Sequence, residues 1–319
     1  MDKYFAGYKK KFFQGWYFKQ SCGLSESVAF IPGYAVAADG VKTAFIQVLT
    51  AQGSFYNEYP IEEFTAAKDK LKIKIGDSVF SEEGLKLDIE GGIRVRGELA
   101  FSAFNPPAAK LLSPNIMGPF DFIPALQCRH HIYSLHHGVD GVLSVNMKDI
   151  VFNGGRGYCE GDRGSSFPPN YIWLQSNLFG GADSCVTISI ADVPFMGRGF
   201  CGCAAVFKYG GAEHRFASYN GTKIAVLEDR GNAVNIALTR GGNILEASLN
   251  LPFGHDLKAP SDGEMKNAIK EAVNASLNLK VTADGKVIFD ESGIICSAES
   301  VGKVRCAAPE PAGKAVRNS

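Results

Sequence analysis

The chain has 319 residues, of which 45% are hydrophobic, and its 33 lysine and arginine residues balance 33 aspartate and glutamate residues. This composition is typical of a globular protein with a sizeable core, and the length allows two domains. Because the formal charge is zero and no basic run extends beyond Lys9–Lys11, a nucleic-acid partner is not expected.

Membrane and export signals are not evident in the sequence. No apolar run reaches the roughly 18 residues that a membrane-spanning helix needs. The amino-terminal stretch MDKYFAGYKKKFF lacks the apolar core of a signal peptide. Eight cysteines spread over the chain are too sparse for a disulfide framework. We therefore expect a soluble cytoplasmic protein with reduced cysteines.

Alternation of apolar and polar residues between Lys70 and Phe104 predicts a β-meander with glycine-containing breaks. Asp39-Gly40 and Asp284-Gly285 each carry the signal for a hairpin turn that needs positive φ. Further strand-like runs cover residues 186–191, 204–209, 223–227, 234–239 and 245–251. The predicted fold class is therefore all-β and mostly antiparallel.

One helix is expected near the carboxyl terminus. The segment Ser261–Glu264 matches a capping box, and Met265, Ile269, Val273 and Leu277 then recur every four residues. We expect this helix to pack over the sheet or to close one end of a barrel, and we assign it no chemistry.

A domain boundary is expected near residue 125. Asn105-Pro106-Pro107 stops the meander, and the following segment is rich in proline and irregular in pattern. This predicts an amino-terminal β domain over residues 1–125 and a carboxyl-terminal β domain over residues 126–306. Residues 307–319 are small and polar, so a disordered tail is expected there.

The segment from residue 157 to residue 179 concentrates the residues that could do chemistry. Tyr158, Glu160 and Asp162 are spaced by two, so on a strand their side chains share one face. If that face lines an apolar cavity, desolvation and repulsion raise the pKa of at least one carboxyl group and leave a protonated acid near neutral pH. The alternative is a rim position, where Arg163 or another cation pairs with the carboxylates.

Aromatic and amide side chains follow these carboxyl groups. Phe167, Tyr171 and Trp173 offer flat apolar surface, and Gln175 and Asn177 supply amides. Together they are typical of a pocket wall with a few orienting polar groups, although each aromatic residue taken singly also fits a core. Aromatic faces would also stabilise a passing carbocation.

The sequence favours neither a metal nor a cofactor. The four histidines at positions 130, 131, 136 and 137 are badly spaced for one ion, because neighbours on a strand point in opposite directions and residues six apart lie about 20 Å from each other. Cys201 and Cys203 have no partner pair and are interpreted as buried thiols. No nucleophile-elbow, Walker or dinucleotide-binding motif occurs.

The pattern of this segment resembles the signature of the tocopherol cyclase family. The matching positions are Tyr158, Glu160, Asp162, Gly164, Phe167, Pro168, Tyr171, Trp173, Gln175 and Asn177. Three more blocks agree, at Gly15–Tyr17, Met117–His137 and Ala259–Glu271, so the resemblance covers nearly the whole chain. The chain departs from the family at Arg163, where plant members have an aromatic residue, and at Gln127, where members often have glutamate.

This resemblance implies two successive lipocalin-like β-barrel domains, similar to those of carotenoid hydratases and of some Diels-Alderase-type cyclases. It also implies a lipophilic substrate, typically a prenylated hydroquinone, that is closed to a chromanol without cofactor by an intramolecular lyase of the isomerase class. A protonated acid would add a proton to the alkene, and the phenol oxygen would attack the tertiary cation.

Residue roles follow from the motif and the resemblance together. Glu160 or Asp162 is the expected proton donor, and His130 is the expected base or orienter of the phenol. The expected substrate-binding residues are Trp16, Tyr17, Tyr158, Arg163, Phe167, Tyr171, Trp173, Gln175 and Asn177. The competing hypotheses are a lipocalin-like carrier without chemistry and a structural role without a ligand. The expected partner is a lipophilic small molecule, taken up through transient contact with a membrane surface.

Overall fold

A computed structural model of the chain describes residues 4–23, 26–109, 113–123, 126–181, 183–195, 198–252 and 254–306. These residues form 22 β-strands in two antiparallel sheets, with three short 3₁₀ helices at Ile61–Glu63, Gly118–Phe122 and Ser218–Asn220. The predicted all-β, lipocalin-like fold class is confirmed. No helix among the described residues is long and apolar enough to cross a membrane.

The first sheet has 12 strands, which run through the first half of the chain. They are β1 (Phe12–Cys22), β2 (Glu26–Val36), β3 (Lys42–Thr50), β4 (Gly53–Pro60), β5 (Phe64–Ala66), β6 (Lys72–Ile75), β7 (Ser78–Ser81), β8 (Gly84–Ile89), β9 (Val95–Phe101), β10 (Cys128–Val145), β11 (Lys148–Val151) and β12 (Gly155–Gly164). Their order is β4-β3-β2-β1-β12-β10-β9-β8-β7-β6-β5, with β11 beside β10. The predicted meander corresponds to β6 through β9.

The second sheet has 10 strands. They are β13 (Tyr171–Ser176), β14 (Cys185–Phe195), β15 (Arg198–Tyr209), β16 (Ala212–Ala217), β17 (Lys223–Asp229), β18 (Ala233–Arg240), β19 (Asn243–Asn250), β20 (His255–Ser261), β21 (Glu264–Ala283) and β22 (Lys286–Val301). Their order is β16-β15-β14-β13-β22-β21-β19-β18-β17, with β20 beside β21.

The two sheets share one topology, because in each the first strand pairs with the last. β1 pairs with β12, and we call this pair the first seam; β13 pairs with β22, and we call this pair the second seam. In the first seam Tyr17 lies opposite Glu160, and in the second Trp173 lies opposite Glu299. The seams therefore bring aromatic and carboxyl side chains to corresponding places in the two sheets.

The predicted carboxyl-terminal helix is wrong, because this segment forms β20, a tight turn and β21. Asp262 and Gly263 have φ values of 50° and 77°, and Ser261 pairs with Glu264 across them. Two successive residues with positive φ are typical of a two-residue hairpin turn. A spacing of four fits one face of a strand as well as one face of a helix, so the apolar pattern did not separate the two.

The prediction of reduced cysteines is wrong for one pair. Cys201 on β15 forms a disulfide with Cys306, with their Cα atoms 5.3 Å apart. Cys306 follows the last strand of the second sheet, and the chain returns there to β15 over a sequence separation of 105 residues. The other cysteines, including Cys203, keep free thiols.

The predicted boundary near residue 125 falls between strands of one sheet. After it, β10 pairs with β9 and with β12, and β12 pairs with β1. The chain passes from the first sheet to the second between Gly164 and Tyr171. The division into domains stays a prediction, and the change of sheet is the place where such a boundary would fall. The predicted tail, residues 307–319, lies outside the described residues.

Three hydrophobic clusters form the core. One lies within the first sheet and one within the second. The third joins the two sheets and includes Tyr17, Ile132 and Tyr158 from the first sheet and Trp173 and Val273 from the second. Burial of each such side chain stabilises the fold by roughly 1.5–3 kcal/mol. The third cluster fixes the two seams against each other.

Candidate functional site

A cavity of about 220 Å³ lies where the two seams meet. Its wall is mostly apolar and includes Phe13, Ile31, Phe120, Phe167, Ile190 and Leu257. The carboxyl groups on this wall belong to Glu160, Asp162 and Glu299. An apolar cavity with a few fixed polar groups suits a lipophilic molecule that carries one or two polar functions.

Glu160, Asp162 and His130 form what we call the carboxylate–histidine cluster. Alternation along β12 places both carboxyl groups on one face, and His130 lies opposite Asp162 on β10. The Nδ1 atom of His130 is 3.0 Å from Asp162 Oδ1, and its Nε2 atom is 3.5 Å from Glu160 Oε2. The imidazole therefore bridges the two carboxyl groups.

Glu160 is 5% exposed. Its Oε2 atom accepts hydrogen bonds from the Tyr158 hydroxyl and from Trp173 Nε1, the latter at 3.2 Å. Burial raises the pKa of Glu160 to about 7, because it outweighs the opposing effect of His130 and these two hydrogen bonds. Since the donors converge on Oε2, the proton of the neutral form belongs on Oε1. Glu160 is thus a carboxylic acid able to give up a proton near neutral pH.

For His130 the neighbouring charges outweigh the effect of burial on its pKa. Burial alone lowers its pKa, but Glu160 and Asp162 together raise the pKa of His130 to about 9. The imidazole therefore carries a positive charge at neutral pH. It offsets the negative charge that would remain on Glu160 after proton transfer.

The same three side chains are of residue types that can bind a metal ion. One ligand atom from each lies within 4.8 Å of the others. However, His130 directs different ring nitrogens to Asp162 and Glu160. A metal needs both carboxylates and one nitrogen to converge on a single point about 2 Å away. The arrangement fits a charged histidine between two carboxyl groups better than a metal centre.

Glu271 and Glu299 form a second group, which we call the carboxyl pair. They lie directly opposite each other on β21 and β22. The Tyr17 hydroxyl donates to Glu271 Oε1 at 2.5 Å, and the Tyr171 hydroxyl donates to Glu299 Oε2 at 2.6 Å. Burial raises the pKa of Glu271 well above its usual range, and burial raises the pKa of Glu299 to about 8.

Sequence reasoning missed the carboxyl pair. Glu299 has no predicted role, and Glu271 lies within the segment that is predicted to form a helix but forms β21. The sequence does contain a usable signal. Ile269, Glu271 and Val273 are spaced by two, so their side chains share one face of a strand. A glutamate within an apolar face must find a partner or hold a proton.

Several predicted site residues line the cavity. They are His130, Glu160 and Asp162 together with Tyr17, Phe167, Tyr171 and Trp173. The structure therefore brings together residues from both sheets that are far apart in the chain. Their catalytic and binding roles stay predictions.

The other predicted binding residues lie behind the wall or elsewhere. Trp16 stacks on Phe64 in the core of the first sheet, and Tyr158 lies behind Glu160. Gln175 accepts a hydrogen bond from Lys19 Nζ at 3.3 Å, and Asn177 donates to the Gly157 carbonyl at 2.9 Å.

Arg163 is a predicted substrate-binding residue and, in the alternative interpretation, one candidate for a rim cation. It lines a separate small crevice with Gln14 and Asp121. Because Arg163 follows Asp162 on the same strand, the two side chains point to opposite faces. On the cavity wall the cation between the carboxyl groups is His130 instead.

Comparisons with known proteins support the fold. No protein-family model and no curated protein matches the chain. A solved AttH structure from Nitrosomonas europaea is similar at a TM-score of 0.52 and 14% identity, over 92% of this chain and 93% of the other. CghA, solved with Sch210972, is similar at a TM-score of 0.57 and 8% identity, over 91% and 88%.

Kievitone hydratase from Nectria haematococca is also similar, at a TM-score of 0.46 and 10% identity, over 91% of this chain and 88% of that one. At such identities, the AttH and CghA structures indicate a shared fold that extends over nearly the whole chain. The two structures support the expected lipocalin-like fold.

Proposed function

We propose that this protein is an enzyme of the tocopherol cyclase type, which closes a ring in a prenylated hydroquinone or a related lipophilic isoprenoid by acid catalysis without a cofactor. The observation that carries this proposal is Glu160, a buried acid whose pKa is raised to about 7 on the wall of an apolar cavity. CghA, which has the same fold, was solved with a small molecule, Sch210972.

The first step is transfer of the proton from Glu160 to an alkene carbon of the substrate. The O–H bond of Glu160 breaks, a C–H bond forms, and a tertiary carbocation remains. His130, held by Asp162 at 3.0 Å, stabilises the new carboxylate. A positioned general acid of this kind contributes about 10²–10⁴-fold to a rate.

The second step is capture of the cation by the phenol oxygen. Tyr17 and Trp173 both line the cavity and pack edge to face, with ring centroids 5.5 Å apart, and an aromatic face turned toward the cation would supply negative potential beside it. The apolar wall limits access of water, so the hydroxyl of the same molecule is the favoured nucleophile.

The experiment is incubation of the purified protein with a panel of prenylated hydroquinones in D₂O with EDTA, followed by mass spectrometry. A chromanol with one deuterium on carbon would support alkene protonation and ring closure. Tight binding without a change of mass would favour the carrier, and product that appears only without EDTA would favour a metal. If the protein neither binds nor converts any of these hydroquinones, the proposed substrate class would be overturned.

A further inference from the structure

The carboxyl pair has no role in the proposed proton transfer from Glu160, yet it borders the same cavity. Glu299 lies on the wall, beside Tyr17 and Tyr171. Glu271 lies behind it and is fully buried. Two carboxyl groups at such a place are costly to bury unless something balances their charge.

The geometry of the pair favours a proton shared between the two carboxyl groups once Glu299 ionises. The Oε2 atom of Glu271 has no hydrogen-bond donor among the described residues. Glu299 lies opposite Glu271 in the strand register, and a hydrogen bond between the two carboxyl groups contributes to the pKa shifts of both. Two carboxyl groups can hydrogen-bond only when one of them is protonated.

The surroundings decide which carboxyl group keeps the proton. The charged and titratable groups that face the pair are Tyr17 and Lys19 on β1, His130 on β10, Glu160 and Asp162 on β12, and Tyr171 on β13. Glu271 is the more deeply buried, so its neutral form is favoured. Glu299 receives hydrogen bonds from Tyr171 and from the neutral Glu271, and both stabilise its ionised form against burial, which raises the pKa of Glu299 to about 8. Glu299 therefore loses its proton before Glu271, and its ionised form is the one that can act as a base.

We propose that Glu299 is the base that removes the proton from the attacking hydroxyl group of the substrate, and that Glu271 is the positioning residue that hydrogen-bonds to it. This inference rests on the proposed function. As the C–O bond forms, the substrate O–H bond breaks and its proton moves to Glu299. Glu160 has meanwhile lost one proton to carbon, so the reaction as a whole neither consumes nor releases protons.

Substitutions with glutamine test the two roles separately, with geranylhydroquinone as the probe. Glu299→Gln cannot accept a proton and is expected to lower kcat about 100-fold or more. Glu271→Gln resembles the neutral acid and is expected to keep kcat within about fivefold. The matched control is Glu291→Gln, which changes an exposed glutamate on the same strand and should leave kcat unchanged. Equal losses in both pair variants, or none in Glu299→Gln, would overturn the assignment.

Deuterium exchange separates failure of this inference from failure of the proposed function. In D₂O, Glu299→Gln should still protonate the alkene, and the Glu160 carboxylate can then remove a proton from a neighbouring carbon. Recovered substrate should therefore gain deuterium although little product forms. Glu160→Gln should show neither exchange nor product. Product from Glu160→Gln would overturn the proposed function, whereas full product from Glu299→Gln would overturn only the base.

The shared proton is measured without substrate by infrared spectroscopy of the carboxyl groups. The wild type should keep a protonated carboxyl band at pH 8 that is lost in Glu271→Gln and retained in Glu160→Gln. Loss of the band in Glu160→Gln alone would place the proton on the carboxylate–histidine cluster and overturn the inference.

A Tyr171→Phe variant should move the acidic limb of the rate profile to higher pH, because the hydrogen bond from Tyr171 lowers the pKa of Glu299.

Discussion

Glu160 and Glu299 occupy corresponding positions, each on the last strand of its sheet and beside the first. Their surroundings differ. Glu160 faces a charged imidazole, whereas Glu299 faces a second carboxyl group and a tyrosine hydroxyl. Burial raises the pKa of both, to about 7 for Glu160 and to about 8 for Glu299. A cation thus favours release of a proton at one seam, while a neighbouring carboxyl group retains one at the other.

The two seams also depend on each other. Trp173 of the second sheet donates to Glu160 of the first, and Tyr17 of the first sheet donates to Glu271 of the second. Both donors are buried aromatic side chains at the contact between the sheets. Glu160 and Glu271 therefore each accept one hydrogen bond from the opposite sheet, in addition to the bonds that Tyr158 and Tyr171 donate to Glu160 and Glu299 within their own sheets.

The largest expected effect is on the first seam. Glu160→Gln should reduce chromanol formation about 10²–10⁴-fold, because an amide cannot donate a proton to an alkene. Product is quantified by mass spectrometry under single-turnover conditions. Glu98→Gln, on an exposed strand position of the same sheet, serves as control and should retain full activity. Undiminished activity in Glu160→Gln would show that Glu160 is not the proton donor.

The second expected effect is on stability. The pKa of Glu299 rises from a usual value of 4.5 to about 8 on folding, so the stability it contributes is complete below pH 4.5 and is lost as pH rises through 8. The pKa of Glu160 gives the same sign, with loss through about pH 7. Unfolding in urea should show a decrease on the order of 1–3 kcal/mol from pH 5 to pH 8.

This decrease should be smaller in Glu299→Gln, because that variant cannot ionise at this position. Circular dichroism at each pH gives the free energy of unfolding from the urea midpoint. An equal decrease in the wild type and in Glu299→Gln would mean that Glu299 takes up no proton on folding, and the difference between the seams would disappear.

A third, smaller effect is expected at Asp162. Asp162→Asn removes a carboxylate that raises the pKa of His130, so that pKa should fall from about 9. The same change removes a charge that raises the pKa of Glu160. We expect roughly a tenfold loss of rate and an alkaline limb at lower pH. NMR titration of the imidazole measures the pKa of His130 directly. An unchanged pKa would contradict the contact between His130 and Asp162.

The smallest expected effect is at Trp173. Trp173→Phe removes the indole donor to Glu160 and keeps an aromatic wall. Because that hydrogen bond lowers the pKa of Glu160, the alkaline limb of the rate profile should move to higher pH. The maximal rate should change only a few-fold. A shift in the opposite direction would show that Trp173 does not contact the acid.

Much of the fold follows from alternation. The meander over β6 to β9 shows period two without competing signals, and Asp284-Gly285 has the positive φ values that its sequence predicts. Asp262-Gly263 has the same turn sequence, and it lies within the segment Ser261–Glu264, whose capping-box pattern predicts the start of a helix. The spacing of four fits both structures, so the turn residues were the better guide.

The site was partly predictable for a similar reason. Glu160 and Asp162 lie two apart on one strand, so their common face follows from local geometry. Glu271 and Glu299 meet only through the β21–β22 register, which contains three irregularities. Local sequence cannot fix such a register, since each bulge changes which residues lie opposite.

Pairing of first and last strands has a consequence for synthesis. While the chain emerges from the ribosome, β1 has β2 on one side but lacks its other neighbour until β12 is made, and β13 likewise awaits β22. Non-local pairing of this kind slows folding, and an open strand edge invites association with other chains. Nascent-chain arrest before residue 155 should therefore yield an aggregation-prone intermediate, whereas arrest well beyond residue 164 should allow the first sheet to complete.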